Sequence, residues 1–188
     1  MKASMSHKSY LARRIEAAWL AVGVVCLAAG IGVADAKSIR VFALGASNTN
    51  GRGVDSDEAW PAQLERMLRA RGYEVTFGIS AINGDTSAGV LSRTSPIPDG
   101  TQVVVFDTGG DNDRLRGFAP GETKANRMKI ESAIRAHHAV PIQAPYKTLI
   151  GPQRSGGAGY QADGIHLTAQ SHARIAAYLL PKVIAAAK

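Results

Sequence analysis

A repeated change of rhythm constrains this chain more than any other feature. Short apolar runs rich in strand formers give way to polar turns, and the turns to helical periodicity. The strand-like runs are "IRVFAL" (39–44), "YEVTFGI" (73–79), "TQVVVFDTGG" (101–110) and "AVPIQAP" (139–145). The first and third are almost continuously apolar, as expected of strands buried on both faces. The fourth is weakened by its two prolines. "DSDEAWPAQLERMLRARG" puts Trp60, Leu64, Met67 and Leu68 on one helical face, and Gly72 can close that helix. Asp55 and Glu58 have the spacing of a capping pair, and Pro61 suits a first turn. Residues 120–138 form a second helical stretch with Ile130, Ala133, Ile134 and His137 on one face. Thr168 can cap a last helix whose Ile175, Ala176, Leu179 and Val183 face inward, with Pro181 set to kink or end it. Strands alternating with helices imply an α/β fold: a three-layer α/β/α sandwich around a short parallel sheet of about four to five strands.

Residues 1–36 do not share that rhythm. Lys2, Lys8, Arg13 and Arg14 are basic, Ala17 to Val33 is almost wholly apolar, and "ADA" closes the stretch with small residues at 34 and 36. This is the pattern of a secretory signal peptide cleaved after Ala36, leaving residues 37–188 as one exported domain, periplasmic or secreted. The alternative is an uncleaved anchor, because the apolar run approaches the ~18 residues that suggest a spanning helix. The single cysteine, Cys26, lies in the leader, so residues 37–188 hold no disulfide and an ordinary core must sustain the fold. With 45% hydrophobic and 20% charged residues, that core is affordable. The net charge of +7 is scattered through segments such as "ERMLRARG" and "TKANRMK" with no interleaved aromatics. Nucleic-acid binding is therefore a weak reading. A solvated surface that tolerates anionic substrates or lipid surfaces fits better.

In open parallel sheets, ligands sit outside the carboxyl ends of the strands. The segments "GASNTNGRG", "SAINGDTSAG" and "TGGDNDRLRG" each follow a strand, so they should gather at one edge. They bring Ser47, Gly84 and Asn112, and "DGIHL" before the last helix adds Asp163 and His166. A serine hydroxyl needs a base to become a nucleophile, and a neutral histidine is the side chain suited to that near neutral pH. The histidine in turn needs a carboxylate to fix its tautomer. Backbone N–H groups and an asparagine amide are the donor types that hold an oxyanion. Each residue also has a plainer reading. Ser47 can be a turn residue, Gly84 a positive-φ position and Asn112 a turn asparagine. Asp163 and His166 can form a helix-entry turn or two ligands of a metal, although no motif supplies the remaining ligands. His137 and His138 read as structural at a helix end. His172, the rival base, has no carboxylate at comparable spacing.

Taken together these blocks resemble the SGNH hydrolases, the GDSL-type esterases and lipases. The "AWPAQLERML" helix and "NDRLRG" are similar to the bacterial branch that contains periplasmic acyl-CoA thioesterase/lysophospholipase and arylesterase. "GASNTNGRG" is similar to the first block, "INGDTSAG" to the second, "GGDNDRLRG" to the third and "DGIHLT" to the fifth. The resemblance implies the family's flavodoxin-like fold and Ser47, Asp163 and His166 as catalytic triad. It also implies an oxyanion hole of Ser47, Gly84 and Asn112, with Asp85 and Asp113 as braces. It implies no metal and no organic cofactor, and a small-molecule acyl ester or thioester as substrate. A carbohydrate O-acetyl ester is the alternative substrate. A non-catalytic binding module and a phosphate-binding flavodoxin-like domain are alternative readings of the same fold.

Three departures from the family pattern stand out. Ala46 replaces the Asp that follows the first glycine, and Asn48 replaces the Leu after the serine. The third block carries an extra residue, so Asp111 competes with Asn112 for register; Asn112 is chosen because "NDRLRG" then continues in phase. The stretch from Pro145 to Asp163 is shorter than in the thioesterase branch. It implies a trimmed sheet and a more open groove, with residues 146–162 either a lid or an open loop.

Overall fold

The computed structural model describes residues 37–153 and 157–188. The leader expected over residues 1–36 lies outside the described residues. Four strands, β1 (Ser38–Gly45), β2 (Glu74–Ala81), β3 (Val103–Phe106) and β4 (Val140–Gln143), form one sheet in the order β2-β1-β3-β4. All three pairings are parallel. The helices are α1 (Ser47–Asn50), α2 (Trp60–Arg69), α3 (Ser87–Ser92), α4 (Gly110–Leu115), α5 (Pro120–Ala136) and α6 (Ala169–Ala186). A single π turn, Tyr146–Ile150, follows β4.

Alternation along β1 divides the core in two, because successive side chains of a strand point to opposite faces. Val41 and Ala43 join Trp60, Leu64 and Leu68 of α2 and Ile175, Leu179 and Val183 of α6. Phe42 and Leu44 join Val90 of α3 and Ile130 and Ile134 of α5. The result is the expected three-layer sandwich. The chain moves from β1 outward to β2, then crosses back to β3 on the other side of β1. That reversal opens a crevice at the carboxyl ends of β1 and β3, where α/β sheets take their ligands.

Several boundaries differ from the sequence expectation for physical reasons. Helix α2 starts at Trp60, five residues later than the acidic stretch suggested, with Pro61 in its first turn. Asp55 and Glu58 instead close a separate turn: the Glu58 N–H donates to Asp55 O at 2.9 Å, and the Asp55 N–H to Glu58 Oε2 at 3.2 Å. Helix α6 continues past Pro181 to Ala186 rather than ending there. Proline removes the hydrogen bond to the carbonyl four residues back. Here that carbonyl belongs to Ala177, which is exposed, so water can take the bond. Among the described residues no helix is long and apolar enough to cross a membrane.

Candidate active site

Ser47 stands two residues beyond the end of β1, as the first residue of α1, and is only 6% exposed. Gly45 makes this tight exit possible. A Cβ there would lie 2.2 Å from Thr49 Oγ1, so only glycine lets the turn fold back on its own strand. Thr49 is fixed in turn by Tyr146, whose hydroxyl lies 3.1 Å from Thr49 Oγ1 and accepts from Trp60 Nε1 at 2.9 Å. The Ser47 turn is therefore anchored to α2 and to the π turn through one buried network.

Ser47 lines a cleft with Ala46, Asn48, Asp107, Asp111, Asn112 and Ile165. Asn112, in the first turn of α4, donates its amide to Asp85 O at 2.8 Å. That bond ties α4 to the loop bearing Gly84, which sits at φ 78° in the turn closed by the Asp85 N–H to Ile82 O bond. Neither the Ser47 N–H nor the Gly84 N–H donates to another described residue. Gly84 and His166 are not among the residues lining the cleft itself.

Asp163 and His166 meet within one loop. Asp163 Oδ2 lies 2.5 Å from His166 Nδ1, while Oδ1 accepts the N–H groups of Ile165 at 2.9 Å and His166 at 3.0 Å. Partial burial pushes the Asp163 carboxyl up. The hydrogen bonds from the His166 ring and from the two N–H groups outweigh it and hold the group at about 2. An ionised partner on Nδ1 fixes the tautomer with a lone pair on Nε2, the form able to accept a proton.

Asp85 and Asp113 hold the loops around the cleft. Asp85 Oδ1 accepts the Thr86 N–H at 2.9 Å, and Oδ2 meets the Arg93 guanidinium. Arg93 also donates to Ser80 O at 2.6 Å and Gly45 O at 2.9 Å, so one side chain joins the ends of β1 and β2 to the Gly84 loop. Asp113, 2% exposed, accepts the Ser87 N–H at 2.9 Å and the Thr123 hydroxyl at 2.6 Å.

Sequence reasoning missed three residues. Arg93 looks like an ordinary helical arginine, and no local signal marks it. Asn48 was read only as a departure, yet its amide reaches the His166 loop, donating to Ile165 O at 3.2 Å and accepting from Leu167 N–H at 3.0 Å. Asp107, the first residue after β3, was detectable from its position at a strand's carboxyl end. Burial raises its carboxyl to about 6, and Asp111 adds to the rise; hydrogen bonds from Gly109 and Ala46 and the charge of Lys147 partly oppose it. Asp107 accepts the Gly109 N–H at 3.2 Å and lines the same cleft as Ala46. The extra third-block residue, Asp111, turns to Lys147 Nζ at 2.9 Å. His172 is fully buried and accepts the Trp60 N–H on Nδ1 at 3.2 Å.

Comparison with known proteins identifies the family. The profile of the GDSL-like Lipase/Acylhydrolase family matches residues 43–184. The chain belongs to that family. Esterase TesA of Pseudomonas aeruginosa is 33% identical over 116 residues, covering 61% of this chain and 57% of that protein. The chain thus spans little more than half the length of this curated relative. A crystal structure of TesA superposes with a TM-score of 0.65 at 24% identity, covering 77% of this chain and 97% of the other, a likeness of fold. AlinE4, described as an SGNH-hydrolase family esterase, gives a TM-score of 0.52 at 26% identity, covering 79% and 74%.

Proposed function

We propose that this protein is an exported serine hydrolase that cleaves carboxylic ester or thioester bonds. The observation that carries the reading is the Asp163–His166 pair at 2.5 Å, one residue from Ile165 of the cleft that holds Ser47 and Asn112. His166 Nε2 takes the Ser47 proton as Oγ attacks the acyl carbonyl. The oxyanion that forms is held by the N–H groups of Ser47 and Gly84, which donate to no other described residue, and by the second amide hydrogen of Asn112, whose first is committed to Asp85 O. His166 then gives its proton to the departing alcohol or thiol. Water, deprotonated by the same ring, hydrolyses the acyl-enzyme and restores Ser47. Asp163 stays ionised throughout and stabilises the imidazolium.

A fluorophosphonate probe tests the assignment. Covalent labelling at Ser47, lost in Ser47→Ala together with turnover of p-nitrophenyl esters, is the expected result. Wild-type turnover in folded Ser47→Ala protein refutes it, and a folded wild type that resists the probe supports a binding module instead. A second substrate reading, a carbohydrate O-acetyl ester, draws support from the groove of about 360 Å³ beside the cleft. Its lining mixes Gln143, Lys147, Thr148 and Lys182 with Ile142 and Pro145, so it offers polar groups to hydroxyl-rich ligands beside an apolar wall. Comparing a p-nitrophenyl chain-length series with acetylated sugars separates the two. Export after cleavage at Ala36 is tested by N-terminal sequencing of the protein from the cell exterior or periplasm.

A further inference from the structure

The catalytic reading leaves a geometric problem. Ser47 follows β1, whereas His166 lies on a loop more than a hundred residues later, and proton transfer needs their reacting atoms within hydrogen-bond reach. Asn48 is the residue that joins the two segments directly. Its Nδ2 donates to Ile165 O and its Oδ1 accepts the Leu167 N–H, so one amide grips the backbone on either side of His166. The two bonds call for opposite ends of the amide, which fixes its orientation. Asn48 is 7% exposed, and its bond to Leu167 is buried. Water therefore competes poorly for the Leu167 N–H.

The histidine's own backbone is held from the other side of the loop. Its N–H goes to Asp163 Oδ1 at 3.0 Å, and its carbonyl accepts the Gln161 N–H at 2.7 Å. These bonds shape the loop but do not locate it relative to Ser47. Gln161 adds a tie to Arg52 O at 2.9 Å, five residues beyond Ser47 and exposed. Gln153 Nε2 also donates to Ile165 O, at 3.2 Å, but Asn48 is the partner adjacent to Ser47 in sequence, so its two bonds form the shortest link between the loop and the serine.

We infer that Asn48 is a positioning residue that sets the distance between Ser47 and His166 by clamping the backbone of residues 165 and 167. The inference rests on the reading of Ser47 and His166 as the reacting pair. Asn48→Leu fills similar space and makes neither bond. Misplacement of reacting groups by about 1 Å can cost roughly 100-fold. The expected result is a kcat lower by about 10- to 100-fold, a KM within threefold of wild type, and fluorophosphonate labelling slowed by the same factor as kcat. Asn48→Asp gives an independent readout. Its ionised carboxylate can accept from Leu167 N–H but repels Ile165 O, whereas the protonated acid can make both bonds. Burial beside the Ile165 carbonyl raises such a carboxyl above its ordinary value. Its activity relative to wild type should therefore be down by about 10-fold or more at pH 8 and rise toward wild type as pH falls from 8 to 5.

Folded Asn48→Leu with kcat within twofold of wild type overturns the inference, as does a loss carried by KM alone. If Asn48→Leu fails to fold, the Asn48→Asp ratio decides: a ratio that does not change with pH overturns the clamp. Ser47→Ala run alongside separates the two levels. Labelling that survives in Ser47→Ala refutes the catalytic reading itself, whereas labelling lost there but undiminished in Asn48→Leu refutes only the clamp.

Discussion

Two groups with opposite pH responses, His172 fully buried and Asp107 largely so, make folding stability the most informative measurement. His172 is completely buried. Its Nδ1 accepts the Trp60 N–H, and its Nε2 has no partner among the described residues. Protonation would set a second donor against the Trp60 N–H, and burial already lowers this histidine from 6.5 to about 4. Between those values the unfolded chain holds a proton that the folded chain lacks. The His172 contribution is therefore full above pH 6.5 and lost as pH falls to 4. At about 1.4 kcal/mol per pH unit it is worth about 3 kcal/mol. Asp107 runs the other way. Burial raises it from 3.8 to about 6, so in that window the folded chain holds the extra proton and stability falls as pH rises, again by about 3 kcal/mol. Between pH 4 and 6 the two slopes nearly cancel. Asp163, held at about 2, titrates below that window. Denaturant unfolding of wild type, His172→Gln and Asp107→Asn at pH 4, 5, 6 and 7 resolves the pair, and differences from wild type remove the background of other carboxylates. The advantage of wild type over His172→Gln should grow by about 3 kcal/mol from pH 4 to 6.5. Asp107→Asn should gain a similar amount on wild type from pH 4 to 6. Differences that stay constant with pH would refute the assignment of these two groups.

Three further substitutions probe the frame. Asn112→Ala should lower kcat about 10²–10³-fold, the usual effect of removing one oxyanion donor, in steady-state ester hydrolysis. Arg93→Ala leaves the part-buried Asp85 without its cation and removes a donor from the carbonyls of Gly45 and Ser80. Breaking such a pair costs about 3–5 kcal/mol, and thermal unfolding should start roughly 10 °C lower. Gly45→Ala drives a methyl into Thr49 Oγ1 and should cost about 1–3 kcal/mol by denaturant unfolding.

The layers of the fold were legible because burial repeats along an element. The alternation in "VFAL" and the face of Trp60, Leu64 and Leu68 report which side meets the core. The short elements were not legible. Helices α1 and α4 and the π turn span four to six residues, too few for a period to show, and two of them are rich in polar or glycine residues. The candidate site divides the same way. Asp163 and His166 could be paired from their spacing, since their contact is made within one loop. Asn48 and Arg93 could not be recognised, because their partners are backbone atoms brought near only by the finished sheet. His172 was set aside as a base for want of a nearby carboxylate, and its actual partner, the Trp60 N–H, lies 112 residues away.

The weakened fourth strand has a consequence for how this molecule meets its own copies. Strand β4 ends the sheet, paired only to β3. Its inward hydrogen bonds fall on even positions: the Val140 N–H reaches Gln102 O, and just beyond the strand the Ala144 N–H reaches Phe106 O, both at 2.8 Å. Alternation turns residue 141 toward the open edge, and residue 141 is proline. The middle of that edge offers no N–H to an arriving strand, and in a strand of four residues little else remains to template one. The proline that looked like a flaw in the strand removes the central N–H from the sheet's open edge and so disfavours pairing with a further strand.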